Sequence, residues 1–182
     1  MADTPGDGPP RAALIAAVVL AVGAAVGFLV FAAVTQHQRG PAPVALSAVP
    51  APRADGPECA RLIGTLPEKV GDYRRVPLVE PAPAGAVAWQ RDDGGEPLVL
   101  RCGVERPADF VVGAPLTVVD AVSWFRVQDP SDADRATWFA VDRPVYVALT
   151  LPRDSGPDAI QTVSTAVTAT LPAQPADPGP AA

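Results

Sequence analysis

The chain has 182 residues, a net charge of −6, 23 prolines and two cysteines. No basic run with interleaved aromatic side chains occurs, which argues against a nucleic-acid partner. Two cysteines are too few for a structural zinc site, and the lone histidine is His37, so neither a zinc site nor a histidine-dependent triad is easily built. We predict no cofactor and no metal site.

The first predicted element is an apolar helix. Residues Ala12–Val34 contain no charged, hydroxyl or amide side chain. A helix of that length rises roughly 34 Å, enough to cross the ~30 Å hydrocarbon core of a membrane. We predict a cytoplasmic tail over residues 1–11, a transmembrane helix over residues 12–34, and all that follows outside the cytoplasm. The alternative is a signal peptide cleaved after Ala32, although the apolar region of such peptides is normally about 7–15 residues long.

Gly23 and Gly27 form a GxxxG pair within this helix. Such pairs let two helix backbones approach closely, so a homodimer through the membrane is one hypothesis. The alternative is the ordinary small-residue composition of a segment rich in alanine and glycine.

Two segments rich in proline, alanine and glycine flank the foldable part of the chain. Residues 35–57 are predicted to form a linker, and residues 172–182 a disordered tail, because neither shows hydrophobic periodicity. Residues 58–171 remain, and they are enough for one domain.

The two cysteines lie in different predicted elements of this domain. Cys59 belongs to a short helix that begins near Pro57 and ends before Pro67. Its helical face is shared by the apolar residues Leu62, Ile63 and Leu66. Cys102 lies in a strand, and the residues that alternate onto its face are Leu98, Leu100 and Val104. Both thiols face the core and the compartment is oxidising, so we predict a Cys59–Cys102 disulfide; buried free thiols are the alternative.

Two hairpins and a central strand are predicted next. In residues 86–91 and in residues 98–104, alternate side chains face opposite sides of a predicted strand. The turn-like stretch Asp92–Pro97 joins these two strands into a hairpin whose loop is longer than the tightest type. Residues 118–127 are apolar on both faces, as in a central strand. Residues 136–142 and 145–151 flank a proline-containing corner and indicate a second hairpin.

A helix closes the domain. Ser155 and Asp158 have the spacing of a capping box, and an apolar stripe at helical period runs from Ile160 to Leu171. The order of helix, antiparallel strands and helix predicts a small α+β domain with helices on one face of the sheet.

Three groups of residues are candidates for a metal, catalytic or ligand-stacking site. Asp129, Asp132 and Asp134 resemble a calcium loop but lack its glycine at position six and its glutamate at position twelve, which favours a solvated loop. The carboxylates of Asp92, Asp93 and Glu96 could serve glycoside hydrolysis but sit at a turn without an aromatic cleft. Three tryptophans could form a stacking platform, although core packing is their usual role: Trp89, Trp124 and Trp138. No residue is predicted to be catalytic.

The sequence resembles the DUF3515 family. The matching features are the apolar span, Cys59 with the Leu66-Pro67 helix end, Leu100–Val104, the Trp124 strand, the Val145–Val147 strand and the threonine-rich last helix. The resemblance implies an actinobacterial, membrane-anchored protein of the cell envelope and carries no catalytic residue.

Two functions follow from these features. The leading hypothesis is a non-enzymatic module that binds an envelope protein or wall component. The alternative is an envelope enzyme or small-ligand receptor of unrecognised type. A deep pocket that holds two or more carboxylates or arginines with perturbed pKa values would favour the alternative. An exposed apolar patch without a pocket would favour the module.

Overall fold

The structure is a computed structural model that describes residues 11–38 and 42–181. Helix α1, Arg11–Gln38, belongs to one compact unit, and the chain from residue 42 onward belongs to a second. Within α1, Ala13–Ala32 is long and apolar enough to span a membrane, the one such helix in the described chain. Its large apolar side chains are exposed. A helix that is apolar on all sides is typical of a membrane span, and signal sequences share this character.

The second unit is built on one eight-stranded antiparallel sheet, as the predicted α+β class requires. Helix α2, Pro57–Thr65, precedes the strands, and α3, Asp158–Thr170, follows them after a 3₁₀ turn at Arg153–Ser155. The strands are β1 (Lys69–Val70), β2 (Tyr73–Val76), β3 (Ala86–Arg91), β4 (Gly94–Val104), β5 (Leu116–Val119), β6 (Val122–Gln128), β7 (Ala136–Ala140) and β8 (Tyr146–Leu151). Their spatial order is β1-β2-β3-β4-β8-β7-β6-β5, so two four-stranded meanders meet where β4 pairs with β8.

Both helices of the second unit contribute to one hydrophobic core. The strand residues in this core include Trp89, Leu98, Leu100, Trp124, Val147 and Leu149. Helix α2 adds Cys59 and Leu62, and α3 adds Ile160, Val163 and Val167. Among α3 residues, Ser164 is a buried polar side chain, and its hydroxyl accepts a 3.0 Å hydrogen bond from the Trp124 indole. The core therefore forms between the sheet and the two helices, as predicted.

The face of the sheet opposite α2 and α3 is covered in part by two chain segments. The N-terminal strap, residues 42–50, places Val44 and Leu46 against the buried residues Val76, Ala88 and Val99. The C-terminal strap, residues 174–180, places Ala176 against a second small cluster that includes Phe110 and Phe125.

The N-terminal strap corrects the expected linker. Val44 donates a backbone hydrogen bond to Pro77 and accepts one from Val79, at 2.9 and 3.0 Å. Further along, the backbone N–H of Arg53 donates to the carbonyl of Gly103 at 3.1 Å. Residues 42–50 are extended and residues 52–55 form a turn before α2, and backbone hydrogen bonds attach both segments to the sheet. The domain therefore begins near residue 42 and not at residue 58.

The C-terminal strap differs from the expected disordered tail in the same way. Gly179 donates to the Phe110 carbonyl at 2.8 Å and accepts from Val112 at 2.9 Å, while Gln174 donates to Asp142 at 2.9 Å. Backbone groups make these bonds whatever the side chains are, so the segment docks without the large apolar residues whose absence predicted disorder.

Three local expectations were wrong. The single strand expected over residues 118–127 is two strands, β5 and β6, joined by Asp120 and Ala121, which both have positive φ as a tight two-residue hairpin turn requires. The turn between β3 and β4 is Asp92-Asp93 alone, because Arg91 pairs with Gly94. Ser155 does not cap α3: it lies in the 3₁₀ turn, and the N-cap is Pro157.

Candidate functional site

The two cysteines form a disulfide in the structure. Cys59 of α2 and Cys102 of β4 have Cα atoms 5.5 Å apart, and neither residue is exposed. The bond fastens α2 to the sheet beside the hydrophobic core. Because both sulfur atoms are buried and bonded, the pair is structural and supplies no nucleophile.

A groove of about 290 Å³ lies on the face of the sheet opposite α2 and α3. Its floor includes Arg101, Ala148 and Phe139, which are direct neighbours across β4, β8 and β7. The end of the N-terminal strap, the last residue of β4 and the chain that leaves β4 also line the groove; these residues are Val49, Pro50, Val104, Glu105 and Pro107. We call this feature the Arg101 groove.

Strand alternation explains why Arg101 faces the groove. Its neighbours Leu100 and Cys102 point to the hydrophobic core, so Arg101 points to the other face. A register shift between Cys102 and Val104 then marks a bulge, and Gly103 has a φ of +80° there. The bulge turns Val104 toward the groove, which corrects the prediction that Val104 shares the core face of Cys102.

The guanidinium of Arg101 is poorly paired within the protein. Its Nη2 donates to the carbonyl of Ser47 at 3.4 Å, a long hydrogen bond. Its Nε is buried and has no hydrogen-bond partner among the described residues. Burial lowers the pKa of the Arg101 guanidinium, but arginine remains charged at physiological pH. The groove therefore presents a positive charge on an otherwise mainly apolar floor.

The polar groups beside Arg101 offer no catalytic pair. The hydroxyls of Thr137 and Thr150 lie 3.0 Å apart and bond to each other across β7 and β8. Glu105 is exposed, and no ion pair of the described residues joins it to Arg101. A positive charge among apolar side chains is suited to holding an anionic ligand and not to activating a nucleophile.

A second, larger cleft of about 440 Å³ brings together the acidic clusters that the sequence analysis treated separately. The β3–β4 turn contributes Asp93, the start of β4 contributes Glu96, and the β6–β7 loop contributes Asp132 and Asp134. Arginines already pair with three of these carboxylates. The pairs are Arg91 with Asp93 at 3.5 Å, Arg135 with Glu96 at 3.8 Å, and Arg153 with Asp134. We therefore interpret this cleft as a surface ion-pair cluster and not as the ligand site.

The calcium-like loop is organised by its own hydrogen bonds. Asp129 accepts bonds from the hydroxyl and the backbone N–H of Ser131, and these lower the pKa of the Asp129 carboxyl. Asp132 accepts a bond from the Asp134 N–H in the same way. Within residues 11–38 and 42–181, no three acidic, histidine or cysteine side chains are grouped so as to hold a metal ion.

The tryptophans do not form a stacking platform. Trp89 and Trp124 are fully buried, and their indole nitrogens donate to Pro67 and Ser164 at 2.9 and 3.0 Å. Trp138 is half-buried, and the guanidinium of Arg126 lies 5.8 Å from its ring centre. Trp89 and Trp124 therefore belong to the hydrophobic core, which is the usual role of such side chains.

The family model described as "Protein of unknown function (DUF3515)" matches residues 18–176. The chain belongs to the DUF3515 family. No curated protein and no solved structure matches it significantly. The matched range includes most of α1, the N-terminal strap and the whole sheet, so the DUF3515 domain extends beyond the 58–171 core that its hydrophobic pattern predicted.

Sequence reasoning missed the Arg101 groove of this DUF3515 protein. The available signal was a single arginine within the apolar strand Leu98–Val104. A charged residue in such a strand indicates that the second face of the sheet is not completely buried. The partners of Arg101 in the groove come from β7, β8 and the N-terminal strap, which are distant in sequence, so the pattern of β4 alone could not locate them. Gly23 and Gly27 lie on α1 with open space at each Cβ position, and dimerisation through them stays a prediction.

Proposed function

We propose that this DUF3515 protein is a membrane-tethered binding module that acts outside the cytoplasm and catalyses no reaction. In this proposal α1 crosses the cell membrane once with its N-terminus in the cytoplasm, and the domain recognises a component of an actinobacterial envelope. The observation that carries the binding role is the Arg101 groove, where a poorly paired guanidinium lies among apolar side chains.

Two features support the setting outside the cytoplasm. Ala13–Ala32 has the length and composition of a membrane span, and the folded domain follows it in sequence. The domain also contains a Cys59–Cys102 disulfide, a bond that persists mainly in oxidising compartments. A tethered domain of this kind has the architecture of a receptor or adaptor.

The groove also bears on the alternative of an enzyme or small-ligand receptor. The groove holds one arginine whose pKa is lowered by burial, fewer than the two or more perturbed charged groups that would favour this alternative. We therefore propose binding and assign no reaction to the groove.

Site-specific photo-crosslinking in intact cells tests the binding role. A photoreactive residue at Val49, which lines the groove and is 44% exposed, should form a crosslinked product in membrane-associated protein. The matched control is Val79, which is 46% exposed and does not line the groove. The product at position 49 should disappear in an Arg101→Gln background. Equal products at both positions, or none at position 49, would contradict the proposal.

A further inference from the structure

We propose that the Arg101 groove binds a small organic monocarboxylate with an apolar body, an inference that rests on the binding role proposed above. The carboxylate would bind the guanidinium of Arg101, and the apolar body would lie against the groove walls. Two sources share this chemistry: a free aliphatic acid, and the terminal carboxylate of a short peptide with small apolar side chains.

The hydrogen-bonding capacity of Arg101 favours a carboxylate. A guanidinium has five N–H donors, and the described residues supply one acceptor, the Ser47 carbonyl at 3.4 Å. A carboxylate accepts two parallel hydrogen bonds from a guanidinium and neutralises its charge. Partial burial of Arg101 strengthens this interaction, because surrounding apolar atoms screen charges less than water does.

The walls of the groove favour an apolar body of limited size. The lining includes the apolar side chains of Val49, Pro50, Val104 and Pro107, and that of Phe139 in the sheet. None of these side chains can hydrogen-bond to a ligand. The volume of about 290 Å³ lies just below the usual range of about 300–1,000 Å³ for ligand pockets, which favours a small ligand.

Glu105 favours a monocarboxylate over a dicarboxylate. Its exposed side chain lines the groove that contains Arg101, and its negative charge would repel a second carboxylate on the same ligand. Arg101 would therefore bind one carboxylate of a ligand, and Glu105 would repel a second carboxylate on the same ligand.

Equilibrium dialysis of the full chain in detergent, with empty micelles as the blank, tests the inference. The probes are hexanoate, N-acetyl-Ala-Ala, succinate and the neutral amide of hexanoate. We expect saturable binding of hexanoate, of the peptide or of both, and whichever binds identifies the source. The neutral amide lacks the negative charge that Arg101 would bind, and succinate adds a second carboxylate that Glu105 would repel. Each should therefore bind at least about tenfold more weakly than hexanoate.

Four variants separate the role of Arg101 from general effects. Arg101→Gln should weaken binding by about 10- to 100-fold, the range expected for a charge-assisted hydrogen-bond pair. Arg61→Gln, which removes an exposed arginine of α2, is the matched control and should leave binding unchanged. Glu105→Gln should allow succinate to bind. Ala148→Leu should fill the groove and weaken binding while leaving Arg101 in place.

The melting temperature of each variant shows whether it is folded. Equal binding by wild type and by folded Arg101→Gln, or equal binding of hexanoate and its amide, would overturn the inference. Failure of both carboxylates to bind the wild type would overturn it as well. The crosslinking at position 49 would then decide separately whether the groove has another ligand.

Discussion

The backbone of Ala54 lies directly against Gly103. The residue before it, Arg53, donates its N–H to the Gly103 carbonyl, and a Cβ atom built on Gly103 would overlap the backbone nitrogen of Ala54. Ala54 is buried, and Gly103 follows the disulfide residue Cys102 in β4. The chain entering α2, the disulfide and the bulge that opens the Arg101 groove are therefore one packed cluster.

Replacing Gly103 with alanine should destabilise the domain. The left-handed φ of +80° costs an L-residue about 1–2 kcal/mol, and forcing the Ala54 backbone aside costs about 1–3 kcal/mol more. Chemical denaturation followed by tryptophan fluorescence measures the loss. The control is Gly113→Ala, where φ is +87° but the space around a Cβ is open. Equal losses in the two variants would show that the approach of Ala54 is unimportant.

Removing the disulfide should also destabilise the domain. The bond closes a loop across 43 positions, and loss of a native disulfide from a small domain typically costs about 2–5 kcal/mol. We expect the double variant Cys59→Ala, Cys102→Ala to unfold at a lower denaturant concentration than oxidised wild type. Reductant should shift the wild type toward the variant and leave the variant unchanged. Coincident unfolding curves for variant and oxidised wild type would refute this stabilising role.

Truncation after Leu171 should lower stability, contrary to what a disordered tail implies. It removes the backbone bonds of Gln174 and Gly179 and the contact of Ala176, together worth about 1–3 kcal/mol after the cost of ordering the segment. Thermal unfolding measures the change as a drop of several degrees. Truncation after Pro180 keeps these contacts and serves as the control. A melting temperature that is the same in both truncations would show that the C-terminal strap adds nothing.

The parts of the fold that the sequence predicts are those with a strong hydrophobic period. Helix α2 and the hairpins β3–β4 and β7–β8 are predicted because their apolar residues recur at a spacing that places them on a single face of the helix or strand. Strands β1 and β2 were missed because they are short and carry charged residues between apolar ones. The two straps were missed because backbone hydrogen bonds leave no side-chain signal. The Arg101 groove was missed for a related reason, since its lining combines β4, β7 and β8 with the end of the N-terminal strap, which are distant in sequence.

The β5–β6 turn offers a stabilising substitution. Ala121 has a φ of +63°, a conformation that glycine adopts without the clash an L-residue incurs. Ala121→Gly should therefore raise the stability by up to about 1 kcal/mol and the melting temperature by a few degrees. Ala133→Gly, in the exposed β6–β7 loop where φ is not positive, should give no gain. A lower melting temperature for Ala121→Gly would show that the turn is not strained.

The proposed binding role requires the domain to be tethered outside the cytoplasm, and one mass measurement tests this directly. The chain is extracted from cell membranes without reductant, with free thiols blocked at lysis, and its intact mass is determined. We predict a chain that retains Ala13–Ala32, has a mass two hydrogens below the reduced form, and carries no blocking group. A chain that begins after Ala32 would contradict the tether, and two blocked thiols would contradict the oxidising location of the domain.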